Sequence, residues 1–442
     1  MSVRATVMQT PARGQLEVLR SVVIDVDGGG VITAIGERSG PVTHDLGADL
    51  ANDIVLLPGL VDTHLHAPQW PQLGTGLDLA LQRWLFDYTF PVEQKLTDPV
   101  FAAQVWPHMV STLLAHGTTT AVYYATVSVE TTTMLAATCA ELGQRAFVGR
   151  VAMDHREGTP DWYRDGSANE AVTRSQTSIS EIRRLDSGLV QPIITPRFTP
   201  ACTDDALAGL GELAADTSVR LQTHCSESDW QHGYALDRFG TSDTNALAGF
   251  GLMRPGTVLA HGDHLSDADF AVISAAGAGV AHCPLSNAYF ANAVFPARRA
   301  LDAGVTVGLG TDIAGGAEPG LLPQCSHAVT ASRYLEDGVD PSLAPDERGV
   351  PDSRLSILEA FYLATRGGAD LLDVPVGLLE VGRSFDALAV QLNRAGSPLT
   401  HWQGLGHGDE QLFEKIVRLA TPADITDVWV QGRRVGGSPS LG

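Results

Sequence analysis

From about residue 60 to residue 312 the chain repeats one rhythm: a short apolar run that reads as a strand, then a helix-like stretch. The runs are Leu60–His66, Gly117–Tyr124, Arg145–Met153, Val190–Pro196, Val219–His224, Thr257–His261, Gly279–Cys283 and Val305–Asp312. Stretches such as Leu207–Ala215, Asp267–Ala276 and Pro296–Ala303 lie between them. Strands that are apolar throughout are buried on both faces, and this repeat of strand and helix predicts a closed parallel barrel. An open doubly wound sheet is the alternative, but no Gly-x-Gly-x-x-Gly follows a strand to support it.

The two ends of the chain read differently. Ser21–Val26 and Val31–Ile35 are short strands joined through Gly28–Gly30, and Phe385–Val390 and Ile425–Val435 have the same character. Neither end has enough strands for a stable sheet alone. The economical expectation is one small β domain built jointly from residues 1–58 and 370–442, attached to a barrel of residues 59–369. Asp337–Ser353, rich in Pro, Gly and Asp, reads as an exposed insertion.

Composition narrows the function by exclusion. At 442 residues, 44% hydrophobic and 18% charged, the chain can bury a large core. A net charge of −22 argues against nucleic acid as a partner, because phosphate binding needs a basic face. The five cysteines are scattered, with no Cys-x-x-Cys pair, so neither a disulfide framework nor a thiolate zinc site is expected. That usage, with no apolar run suited to a secretory signal or a membrane span, predicts a cytoplasmic protein with no membrane partner.

In parallel barrels the active site lies at the carboxyl ends of the strands. His64 and His66 end the first run, His224 the fifth, His261 the sixth and Asp312 the eighth. Residues i and i+2 of a strand share a face, so His64 and His66 can present their imidazoles to one ion. A His-x-His pair alone carries little weight, since chance places roughly 0.4 of them in a chain with this histidine content. A single strand-end histidine is more often a structural hydrogen-bonder, and Asp312 alone reads as a helix cap before Ile313–Gly316. Together these residues predict a catalytic metal site. Nitrogen and carboxylate donors without thiolate suit Zn²⁺ or Fe²⁺, with a position left for water.

Glu227, three residues beyond His224, is placed to move protons between that water and a substrate; its bland alternative is a helix first-turn Glu. His264 reads equally as a supporting or an ordinary residue. His116, His155, His282 and His327 lack partners in the sequence and read as structural.

With these residues in hand the chain resembles the amidohydrolase superfamily, and within it the guanine deaminases, over nearly its whole length. The superfamily signature is the pairing of Pro58–His66 with Gly308–Asp312. The narrower signal is His66-Ala67-Pro68-Gln69, Trp84–Pro91, Thr195–Phe198, His224–Glu227 and His282–Asn287, in the family's order. The resemblance implies an α/β fold, a distorted (β/α)8 TIM barrel with a small β-sandwich domain built from both termini. It implies one divalent metal ion held by His64, His66, His224 and Asp312, with Glu227 moving protons and His261 hydrogen-bonding the attacking water. Asp312 or His261 would help deprotonate that water. Gln69 and Arg197 would hold polar edges of a purine, and Phe198 would line the pocket. It also implies a homodimer.

The expected activity is therefore metal-dependent hydrolytic deamination of guanine to xanthine and ammonia, as in purine catabolism or salvage. The alternative is the same chemistry on a related amino-heterocycle: a pterin, 8-oxoguanine or an aminotriazine. One departure bears on that choice. Glu318 and Pro319 stand where the compared guanine deaminases carry small hydroxyl residues and then a Met. A hydrolase of cyclic amides would be favoured by a bridging carboxylated lysine, but no lysine lies near the fourth run. A metal-stabilised binding protein without turnover is the rival from another class. The zinc fold of cytidine deaminases lacks its His-x-Glu and Pro-Cys-x-x-Cys here.

Overall fold

The computed structural model describes residues 1–47, 53–402, 405–406 and 408–437. The chain starts with β1 (Ser2–Ala12), β2 (Gln15–Val26), β3 (Ile32–Gly36), the short β4 (His44–Asp45) and β5 (Ile54–Pro58). The predicted strands around the Gly28–Gly30 turn are β2 and β3, paired antiparallel with Ile24 opposite Ile35. The long β1 pairs with β2 from Ser2–Asp25 to Ala12–Gln15, and its alternating Val3, Ala5 and Val7 pack in one apolar cluster.

Gly59 alone separates β5 from β6 (Leu60–His66). A Cβ at Gly59 would lie 2.2 Å from Thr119 Oγ1, so only glycine lets the chain pass from the terminal sheet into the next strand here. Then follow β7 (Thr118–Tyr124), β8 (Arg145–Gly149), β9 (Val151–Ala152), β10 (Val190–Pro192) and β11 (Thr195–Pro196). β12 (Gln222–Cys225), β13 (Val258–His261), β14 (Gly279–His282) and β15 (Thr306–Leu309) complete the series. All pair in parallel, in the orders β10-β8-β7-β6, β11-β9 and β12-β13-β14-β15.

Two of the eight runs differ from their prediction. The third breaks at Arg150 into β8 and β9, because the buried guanidinium is drawn to the Asp165 carboxylate and donates to Val127 O at 2.8 Å. The fourth breaks after Pro192 into β10 and β11, proline having no N–H to give a ladder.

The separate ladders are tied together by backbone bonds. Ile194 N donates to Arg220 O at 2.8 Å and Gln222 N to Ile194 O at 2.9 Å. At the other junction Asp312 N donates to His64 O at 2.9 Å and His66 N to Ile313 O at 2.8 Å, joining the last strand's exit to the first strand. These parallel strands, with the helices between them, fit a TIM-barrel-like domain. Val61, Val122, Phe147, Ile193, Val258 and Ala281 pack with Ala369, Leu371 and Leu372 of the helix Gly368–Leu372 into one apolar cluster. The polar side chains described below come from the opposite, carboxyl ends of the strands.

β16 (Ala387–Gln391), β17 (Ile425–Val430) and β18 (Arg433–Gly436) return to the start of the chain. β16 pairs antiparallel with β5, Leu388 opposite Leu57, and the eight strands of both termini form one sheet ordered β18-β17-β16-β5-β1-β2-β3, with β4 beside β1. Strands from both ends of the chain thus share one sheet. The Pro- and Gly-rich stretch after the helix Leu321–Asp337 is irregular and largely exposed, as expected. Among the described residues, no helix is long and apolar enough to cross a membrane.

Candidate active site

His64 and His66 leave the end of β6 on the same side, with Asp62 two residues earlier on that face. Asp62 is fully buried and accepts from Thr311 N at 3.0 Å, Thr311 Oγ1 at 2.6 Å and His64 N at 3.3 Å. Burial pushes its carboxyl up to about 7, the three hydrogen bonds working the other way. It fastens the strand bearing the two histidines to the segment bearing Asp312. Its alternation with His64 and His66 was visible in the sequence and went unused.

Asp312 lies three residues beyond β15, and its backbone is left-handed, as are those of His261 and Ser226. Non-glycine residues held there cost of order 1–3 kcal/mol each, and such strain clusters at functional sites. Close approach adds to the constraint: a Cβ at Gly310 would meet His64 Cβ at 2.9 Å.

The side chains converge. His64 Nε2 lies 3.1 Å and His66 Nε2 3.6 Å from Asp312 Oδ1. His66 Nε2 and His224 Nε2 are 3.1 Å apart. His261 Nε2 stands 3.9 Å from Asp312 Oδ2 and 3.8 Å from Glu227 Oε1. His64, His66 and Asp312 form one group able to hold a metal ion, and His64, His224 and His261 another, each with donor atoms within 4.8 Å.

Hydrogen bonds fix which nitrogens point inward. His224 Nδ1 donates to Arg197 O at 2.6 Å, leaving Nε2 as a lone pair. His261 Nδ1 donates to Asn287 Oδ1 at 2.9 Å, and Asn287 Nδ2 donates in turn to Asp263 Oδ1 at 2.7 Å, which fixes the amide's orientation. Both nitrogens of His64, Nδ1 of His66 and Nε2 of His261 are buried and make no hydrogen bond to protein. Burial holds His64, His66 and His224 well below the usual histidine range, and neighbouring charges add to this. Burial also lowers His261, against the pull of Asp312. Neutral, desolvated imidazoles with orphaned lone pairs beside a carboxylate are the donor set of a divalent cation site. The residues present fit the metal.

Glu227 is pushed up to about 8, first by burial and then by the Asp312 charge, with Arg197 opposing. A carboxyl poised near neutrality beside the donor cluster is suited to carrying a proton in either direction.

A pocket opens onto this cluster, with His66, His224 and Asp312 in its lining. Its polar wall includes Gln69, Arg197 and Glu227, and its apolar wall Leu81, Trp84, Leu85, Phe198 and Phe290. Gln69 comes from the turn Ala67–Gln72 directly after β6, and Arg197 and Phe198 directly follow β11. Trp84 and Leu85 stand on a helical stretch, Leu81–Lys95, that widens over Trp84–Thr89. Pro91 has no N–H to offer the Asp87 carbonyl, and a widened turn accommodates it. Trp84 packs on Phe290, ring centroids 5.0 Å apart, closing the apolar side.

His64, His66, Gln69, Arg197, Phe198, His224, Glu227, His261 and Asp312 therefore meet at one place. Sequence reasoning missed Asp62, Asn287, Asp263, Tyr124 (whose ring lies 4.7 Å from His66) and Glu93. Asn287 stood inside a quoted motif without a role; Glu93 lay two residues beyond another. Of the other histidines weighed in the sequence, His282 packs on Phe295, His155 contacts Pro200 O, and His264 contacts Ala291 O and stacks on His232. His116, at the end of the helix Pro99–Ala115, is likewise apart. Glu318, the residue of the sequence departure, is partly exposed and pairs with His327 at 3.1 Å, away from the pocket lining.

A sequence profile described as the Amidohydrolase family matches residues 55–435. The guanine deaminase of Dictyostelium discoideum is 33% identical over 453 residues, covering 98% of this chain and 97% of that protein. A probable guanine deaminase of Schizosaccharomyces pombe is 37% identical over 397 residues, covering 86% and 71%. Among solved structures, a guanine deaminase from C. acetobutylicum, with guanine bound in its active site, superposes with a TM-score of 0.86. It shares 26% identity and covers 98% of this chain and 99% of its own.

Proposed function

The chain belongs to the amidohydrolase family, and we propose that within it the protein is a guanine deaminase, converting guanine and water to xanthine and ammonia. The observation that carries this reading is the pairing of a metal donor cluster with a polar wall of Gln69 and Arg197 in one pocket. A planar, neutral heterocycle rich in donors and acceptors is oriented by an amide and a guanidinium. Phe198, beside them, offers a flat apolar surface.

The cofactor is a divalent metal ion, and Zn²⁺ is the ion that borderline nitrogen and oxygen donors suit best, Fe²⁺ being the alternative. His64, His66, His224 and Asp312 would hold it. When bound, such an ion lowers the pKa of a coordinated water toward neutrality and supplies hydroxide at pH 7. His261, with Nδ1 committed to Asn287, turns its bare Nε2 toward the site and accepts a hydrogen bond from the attacking water. Asp312 helps remove the water proton. Gln69, Arg197 and Phe198 hold the purine so that C2, which bears the amino group, faces the attack. Glu227 delivers a proton to the adjacent ring nitrogen, and a second transfer lets ammonia leave as the C2 carbonyl forms.

The parallel strands are read as one distorted (β/α)8 barrel of residues 59–369, and residues 1–58 and 370–442 as a composite β-sandwich domain. A homodimer in the cytoplasm, with no nucleic acid or membrane partner, completes the reading. The pocket lining favours guanine over other amino-heterocycles, because Glu318 takes no part in it. The test is ammonia release from guanine, 8-oxoguanine, a pterin and an aminotriazine by purified metal-loaded protein. Guanine is expected to show the highest kcat/KM, by about 10-fold or more. A higher value for another member of the panel overturns the substrate.

A further inference from the structure

Behind the polar wall of the pocket lies a carboxylate that neither the metal cluster nor the proton transfers use. Glu93, two residues after Pro91 in the first turn of the helix Phe90–Lys95, is fully buried. Its Oε1 accepts from Gln69 Nε2 at 2.8 Å and from Arg197 Nη2 at 2.8 Å, while Oε2 accepts from Arg197 Nη1 at 2.7 Å. The same helical turn brings Phe90 under the guanidinium, Cζ 4.8 Å from the ring centre. Gln69 is held at its other end as well, Oε1 accepting from Ala314 N at 2.9 Å. The two side chains that face the substrate are thus fixed to each other through one buried group.

This arrangement settles both orientation and charge. With Nε2 committed to Glu93 and Oε1 to Ala314, the amide has one orientation, with one N–H and one lone pair left for a ligand. The forked bond to Glu93 takes one N–H each from Nη1 and Nη2, and Nη1 also donates to Met153 Sδ at 3.9 Å, which leaves Nη2 and Nε with an N–H for a ligand. Arg197 is 2% exposed, and a lone guanidinium so deep would draw an anion. Burial works against its charge, but Glu93, with smaller help from Tyr163 and Tyr124, raises the group above its ordinary value.

Resting on the guanine deaminase reading, we propose that Glu93 is a positioning residue that sets the specificity of this pocket. Its carboxylate orients Gln69 and Arg197 together and cancels the guanidinium charge. The wall then offers hydrogen-bond donors to a neutral purine without attracting an anionic one.

The test uses the full-length, metal-loaded enzyme and Glu93→Gln. Metal content, kcat and KM for guanine are measured, with the inhibition constants of hypoxanthine, a neutral purine, and urate, an anionic one. Glu93→Gln is expected to keep its metal and hold kcat within about 3-fold while KM for guanine rises about 10-fold. The urate-to-hypoxanthine preference is expected to move about 10-fold toward urate, because Arg197 is left unpaired. A KM and a urate preference both within about 2-fold of the parent overturn the proposal. Glu93→Asp keeps the charge but shortens the reach, and guards against a Gln variant that does not fold. It is expected to raise KM at least about 5-fold with the urate preference unchanged, and parental values in both overturn the proposal. If the parent enzyme releases no ammonia from guanine, the deaminase reading falls first. If it does and both variants behave as the parent, only the role of Glu93 falls.

Discussion

The two walls of the pocket are built on opposite principles. On the metal side both ring nitrogens of His64 and Nε2 of His261 make no hydrogen bond to protein, and burial keeps the histidines neutral. On the purine side Gln69, Arg197 and Glu93 bond to one another. Buried polar groups are ordinarily satisfied, and each unsatisfied one costs about 1–3 kcal/mol. The metal side therefore leaves donors for a cation, whereas the side chains of the other wall satisfy one another. The walls meet at Asp312–Ala314, where a metal-site carboxylate and the N–H that holds Gln69 are two residues apart.

Metal removal is the strongest way to break this comparison. Chelation is expected to abolish turnover and lower Tm, since a cation bound only by the folded state stabilises it. Added Zn²⁺ should restore both, as followed by calorimetry and ammonia release. Glu227→Gln comes next: kcat should fall by about 10³-fold with metal content unchanged, because only a proton carrier is lost. A variant that loses its metal would instead place Glu227 among the ligands. On the purine side Gln69→Ala should raise KM for guanine about 10-fold with little change in metal affinity, measured by steady-state kinetics and metal titration. The smallest effect belongs to Glu318→Ala. The exposed pair with His327 contributes little, and guanine kinetics should stay within about 2-fold of the parent.

The same contrast explains what was legible in the sequence. The residues proposed to hold the metal and its water sit where strands end, so an apolar run closing on His64, His224 or His261 announces itself, and Asp312 follows the last run. The composite terminal sheet was readable for a similar reason, because neither end could stand alone. Glu93 was not readable. Its partners lie 24 and 104 residues away, and a glutamate inside a helix looks like any solvated one until the fold buries it. Asn287 and Asp263 were hidden likewise, since they act on the far nitrogen of His261. The breaks at Arg150 and Pro192 show the limit of reading apolar runs: one buried charge, or one missing N–H, ends a strand that hydropathy would continue.

The central claim is that this pocket replaces the amino group of guanine with oxygen from water. The direct measurement is turnover of guanine in ¹⁸O-enriched water by the metal-loaded protein, with mass spectrometry of the purine product and assay of ammonia. The account predicts xanthine carrying one ¹⁸O, at C2, formed in step with one ammonia. Unchanged guanine, or a product without the label, would contradict it.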